Sequence, residues 1–178
     1  MKRIITAMLA LLPFSVFSQT AENIIIITTD GFRWQEIFTG MDSAIVNNRD
    51  LYKGDSADIF KRYWAENASE RRSKLMPFLW STIQNKGQIY GNRNFDNRVD
   101  NANRYWFSYP GYNEIFTGYP DTAVNSNKYP PNPHSNLLEY LNKQPKYQNK
   151  VAAFGAWHAF DRILNEERSK FIDTANYN

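Results

Sequence analysis

Cysteine is absent from the 178 residues, and histidine occurs only twice, as His134 and His158. No disulfide can staple such a chain, no lipid-modified cysteine can tether it, and thiolate metal sites are excluded. An excess of charge of one sign is missing too: 21 basic side chains face 18 acidic ones, and leaving out Lys2 and Arg3 makes it 19 against 18. So near a balance does not imply a nucleic-acid partner. Arg71-Arg72-Ser73-Lys74 reads as the solvated face of a helix. Long apolar runs are scarce. The main one, Ile4 to Phe17, is shorter than the ~20 apolar residues that a membrane-spanning helix needs. Between Met1-Lys2-Arg3 and Ser18-Gln19-Thr20 it has the three regions of a secretory signal peptide. Residues 1–18 are therefore expected to be removed on export to the periplasm or the exterior, leaving no membrane anchor.

What is present is a globular composition, 42% hydrophobic and 22% charged, with aromatics at 16%. Residues 19–178 read as one domain. Asn23-Ile24-Ile25-Ile26-Ile27-Thr28-Thr29 is a continuous β-branched run, the pattern of a strand buried on both faces of a parallel sheet. It ends at Asp30-Gly31-Phe32-Arg33, where glycine permits a sharp turn and leaves the aspartate at the strand's carboxyl end, the edge where open α/β sheets bind ligands. Residues 39–68 read as a long loop with short helical pieces, and Ser73 to Lys86 as a helix with Leu75, Leu79 and Ile83 on one face and Gly87 as its stop. Gln88 to Tyr90, Tyr105 to Phe107 and Lys150 to Phe154 read as short strands. Ser108 to Gly118 reads as a short helix with Ser108 as cap, Pro110 in the first turn and Gly118 as stop. Residues 119–134 carry four of the eight prolines and form a loop, followed by helical stretches from Ser135 to Lys143 and from Ala159 to Glu167. Alternating strands and helices predict an α/β fold with a mostly parallel central sheet flanked by helices.

Two features carry chemistry: a carboxylate directly after a strand, Asp30, and a hydroxyl at a helix start, Ser108. A serine hydroxyl is a poor nucleophile at neutral pH, and a divalent cation held by Asp30 and the serine itself lowers its pKa. Helix N-terminal amides beside it favour a phosphoryl anion. The pair points to metal-assisted attack on phosphorus.

The strand with Asp30-Gly31-Phe32-Arg33-Trp34 resembles the opening of the type I phosphodiesterase/nucleotide pyrophosphatase branch of the alkaline phosphatase superfamily. Ser108-Tyr109-Pro110, with Ile115-Phe116-Thr117-Gly118 and Tyr119-Pro120, is similar to that family's nucleophile motif, and Lys150 to Trp157 looks like a segment of its secreted bacterial members. The resemblance implies an alkaline phosphatase-like fold, of which this chain is the N-terminal part. It implies phosphoester hydrolysis through a phosphoserine intermediate, with Ser108 as nucleophile, Asp30 and Ser108 as metal ligands and two zinc ions as cofactors. It also implies an asparagine that hydrogen-bonds the phosphate, for which Asn127 is favoured and Asn125 is the rival. The partner implied is a small phosphorylated substrate.

The chain departs from the family in carrying Gly111 where many phosphodiesterases have asparagine, and His158 where related chains usually show an aspartate. Absence of cysteine and of paired aspartates after the strand disfavours sulfate esters. The family completes its metal site with aspartates and histidines from later in a longer chain, and His134 and His158 read as structural or surface residues. Two alternatives remain open: a truncated, inactive relative in which Asp30 and Ser108 survive as turn and cap, and an exported, noncatalytic module whose aromatics stack on ring-bearing ligands.

Overall fold

A computed structural model describes residues 21–170 and 172–174, so the expected signal peptide, residues 1–18, lies outside the described residues. No helix among the described residues is long and apolar enough to cross a membrane.

The first half is a set of short helices: α1 (Trp34–Thr39), α2 (Ser43–Asn47), α3 (Ser56–Tyr63) and α4 (Ala68–Leu75). Short polar side chains start three of them. Asp42 accepts from the Ala44 amide at 2.9 Å, Asp55 from Ala57 at 2.9 Å, and Asn67 from Glu70 at 2.7 Å. Gly40, at φ 81°, lets α1 meet α4, because a Cβ there would sit 2.5 Å from the Arg71 carbonyl carbon.

Arg71 and Arg72 differ from their expected solvated role. The Arg71 guanidinium donates to the carbonyls of Thr39 at 2.9 Å and Ala65 at 2.8 Å. Arg72 lies 3.7 Å from the Trp80 ring centroid and donates to Phe38 O at 3.3 Å, while Trp80 Nε1 donates to Ile37 O at 3.0 Å. A planar guanidinium can cover an aromatic face and cap carbonyls at once, which is why these cations pack rather than solvate.

The helix expected over 73–86 is broken. Helix α4 stops at Leu75, Met76 leaves the helical region at φ −132° and ψ 68°, and a π-helical turn (Leu79–Ile83) then runs into α5 (Gln84–Lys86). Pro77 is the cause: its ring disfavours a helical conformation in the residue before it.

The second half is organised by α6 (Ser108–Thr117), α7 (Leu137–Lys143), α8 (Phe160–Ile163) and α9 (Glu166–Ser169). Its core is Tyr109, Tyr112, Val124, Ala159, Ile163 and Leu164. Helix α6 ends as expected, at Gly118 in the left-handed region. The stretch 159–167 is instead two helices, split at Asn165, whose φ of 51° interrupts the spiral.

The described residues contain one sheet, a parallel pair of β1 (Ala152–Phe154) and β2 (Ile172–Thr174). The run 23–29, expected as a central strand, joins no ladder among the described residues, and Ile24, Ile25 and Ile27 are at least 80% exposed. Gln88 to Tyr90 and Tyr105 to Phe107 also join none. A strand apolar on both faces needs neighbours on both edges and layers above and below, and the described residues supply neither for 23–29. The central sheet therefore remains an expectation, and the two-stranded pair β1–β2 is the one sheet among the described residues.

Candidate active site

Ser108 and Asp30, 78 residues apart in the chain, meet: Ser108 Oγ donates to Asp30 Oδ2 at 2.7 Å. Asp30 is exposed on the turn that Gly31 makes at φ 71°, and Ser108 is half-buried. The local reason for Ser108's position is the switch from extended backbone at Phe107 (φ −124°, ψ 145°) into helix.

Ser108 is not the cap that its sequence position suggests. The capping residue is Phe107, with no side-chain oxygen to give, and Ser108 is the first helical residue. The acceptor comes from elsewhere: Asn127 Oδ1 takes the Tyr109 N–H at 3.0 Å across 18 residues. With Tyr109's amide taken and no N–H on Pro110, the Ser108 N–H is the helix-start amide left without a partner among the described residues.

Asn127, the favoured phosphate ligand, thus lies at the Ser108 helix terminus with its Oδ1 occupied and its Nδ2 without a partner among the described residues. Its rival Asn125 is exposed and makes no hydrogen bond to α6.

The helix start is anchored from below. Tyr109 is fully buried, and its one hydroxyl proton is shared between Pro130 O at 2.8 Å and Arg162 O at 3.0 Å. Burial pushes its phenol well above the ordinary range, so it stays a donor at any working pH. Arg162 in turn donates to Tyr129 O at 2.5 Å and, at 3.4 Å, to Asn127 O, bracing the segment that carries Asn127. From the other side, Glu114 accepts from the Ala102 amide at 2.5 Å, the Asn103 amide at 2.9 Å and Asn103 Nδ2 at 2.9 Å. Burial pushes the Glu114 carboxyl up, but these donors outweigh it and hold it below its usual value. Neither Arg162 nor Glu114 stands out in the sequence, because a brace across tens of residues leaves no local pattern.

The histidines stand apart from this site. His134 Nε2 pairs with Asp121 Oδ2 at 2.6 Å and meets the Tyr119 ring edge-on, tying the proline-rich loop to itself. His158 is exposed beside Trp157.

As a cation site, Asp30 and Ser108 give two oxygen donors, which suits part of one divalent shell. Zinc sites draw roughly three or four protein ligands, and no cluster of three His, Asp or Glu among the described residues supplies them. Electrostatically the arrangement is a helix N-terminus, a free amide, a carboxamide donor and a hydroxyl held by a carboxylate.

No family model matches the chain, and neither the curated proteins nor the solved structures contain a match to it.

Proposed function

We propose that the chain carries the nucleophile half of a metal-dependent phosphoester hydrolase, of the alkaline phosphatase-like kind to which its motifs are similar. The observation that carries the reading is the hydrogen bond from Ser108 to Asp30, with Asn127 capping the same helix terminus. Three residues chosen for phosphoryl chemistry converge from distant parts of the chain. Turn and cap duties alone do not require that.

Asp30 orients the Ser108 Oγ by accepting its hydrogen bond, and it is the atom toward which the hydroxyl proton departs as Oγ bonds to phosphorus. The scissile P–O bond breaks with its electron pair on the alcohol oxygen, which takes a proton from water. The Ser108 N–H and Asn127 Nδ2 donate to the phosphoryl oxygens, and the positive end of α6 favours their charge. Water then attacks the phosphorus, the P–Oγ bond breaks with its electron pair on Oγ, Asp30 returns its proton to Oγ, and inorganic phosphate leaves. Asp30 and Ser108 would hold a divalent cation, zinc by resemblance, which supplies Lewis-acid help to the serine. The remaining ligands of that cation, and all those of a second zinc, would come from outside the described residues.

The test is incubation of the protein with p-nitrophenyl phosphate and Zn2+, followed by acid quenching and intact-mass measurement. The expected result is turnover with one phosphoryl group trapped on Ser108, and loss of both in Ser108→Ala. Absence of turnover and adduct in the wild type, with zinc supplied, leaves the inactive relative or the noncatalytic exported module as the reading.

A further inference from the structure

One residue beyond Asp30 a cleft of about 370 Å³ begins, lined by Gly31 and running between α1, α2 and the end of α4. Its walls are Phe32, Ile45, Leu75 and Met76. Arg33 and Glu36 complete the lining, but Arg33 is occupied: its guanidinium bonds Glu36 through Nε at 3.0 Å and Asp42 through Nη2 at 3.0 Å.

We propose that this cleft receives the alcohol portion of the substrate, an uncharged apolar ring or short branched chain, while the phosphorus sits at Ser108. The proposal rests on the phosphoester reading above and deepens it. Contiguity is the first argument. Gly31, which lines the cleft, directly follows Asp30, and adjacent Cα atoms lie about 3.8 Å apart, so the cleft begins next to the residue that receives the Ser108 hydroxyl. Lining is the second: four apolar side chains with few polar groups suit an apolar group fixed at one end.

Charge is the third argument. Arg33, the one cation among the described lining residues, is already paired with Glu36 and Asp42, so an anionic leaving group such as a nucleotide or pyrophosphate finds no free cation there. Size is the fourth, since the volume suits one ring and not a polymer. The cleft thus selects aryl or branched-alkyl monoesters over nucleotide esters.

The test begins with binding and does not depend on turnover. Benzyl alcohol and glycerol are titrated separately into 15N-labelled protein, and amide shifts are followed. The expected result is a saturable shift at Gly31, Phe32, Ile45 and Leu75 with benzyl alcohol and none with glycerol, abolished by Leu75→Asp and by Ile45→Asp in samples whose remaining spectrum is unchanged. In turnover, kcat/KM for benzyl phosphate should exceed that for glycerol 2-phosphate and for a nucleoside monophosphate by about tenfold or more. Equal shifts with the two alcohols, or shifts elsewhere only, overturn the cleft whatever the turnover shows. The same holds if turnover occurs with no preference among the esters. Shifts at the cleft with no turnover and no phosphoserine sustain an apolar pocket and overturn the hydrolase reading instead.

Discussion

The side chain with the most consequence at the scale of single residues is Asn127, because one carboxamide has two duties. Its oxygen caps the Tyr109 amide, and its nitrogen has no partner among the described residues and, in the proposed reaction, is the phosphoryl donor. Asn127→Ala removes both, and the lost cap should cost about 1 kcal/mol of stability in urea unfolding. Asn127→Asp keeps an acceptor at a helix N-terminus, where a negative charge is favourable, but loses the donor and places charge beside the phosphoryl group. The expected pattern is wild-type stability with a fall in kcat/KM for p-nitrophenyl phosphate. An equal fall in stability for the two variants contradicts the capping role. The separation of cap from serine was not legible beforehand: a serine two residues ahead of a proline looks locally like the cap, and the true acceptor is 18 residues away.

Among elements, the junction of α7, α9 and the proline-rich loop depends on one buried carboxylate. Glu139 has a fully buried side chain and receives Arg168 through Nε at 3.1 Å and Nη2 at 2.9 Å, and Lys143 at 2.7 Å. The same guanidinium donates to the carbonyls of Asn132 at 2.8 Å and His134 at 2.6 Å, so it joins helix to loop. Removing Arg168 leaves the buried carboxylate with only the exposed Lys143 to balance it, so Arg168→Ala should cost up to about 3–5 kcal/mol in chemical denaturation, the upper part of that range if Lys143 compensates little. Burial pushes the Glu139 carboxyl up, but the bonds to Arg168 and Lys143 outweigh it and hold it below its ordinary value. A carboxylate with a depressed folded-state pKa binds fewer protons folded than unfolded. Its stabilisation is therefore complete above the ordinary carboxylate range and is lost as pH falls through the folded-state value. Urea midpoints should drop between neutral pH and about pH 3, and less so in Glu139→Gln. Here the element boundaries were partly readable. Gly118 leaves the local mark of a stop, the start expected at Ser135 falls two residues later at Leu137 behind an Asn136 cap, and Pro77 carried a break that the Leu75, Leu79, Ile83 spacing concealed.

For the whole molecule, the packed centre and the isoleucine run should respond differently to substitution. Ile163, fully buried, should cost about 2–5 kcal/mol when cut to alanine, whereas Ile25→Lys, at 82% exposure, should change stability by no more than about 0.5 kcal/mol. Thermal melts of the two variants check this, and a large loss in Ile25→Lys means that the run is packed in solution. The run shows where composition stops being informative. Four consecutive isoleucines declare what a strand requires on either side, but not where its neighbours are. Asp30 at its end was legible because a turn after such a run has a local chemistry, as has a hydroxyl before an aromatic-proline pair. Their meeting was a matter of inference, since nothing in either segment encodes the other. The cap that Asn127 provides has a further effect on the order in which the molecule assembles. The Tyr109 amide in the first turn of helix α6 gains its acceptor only when the loop after it has closed back over 18 residues. Ser108, its free amide and the Asn127 carboxamide therefore become ordered in one cooperative event, and a partly folded chain presents a bare serine with none of these surroundings.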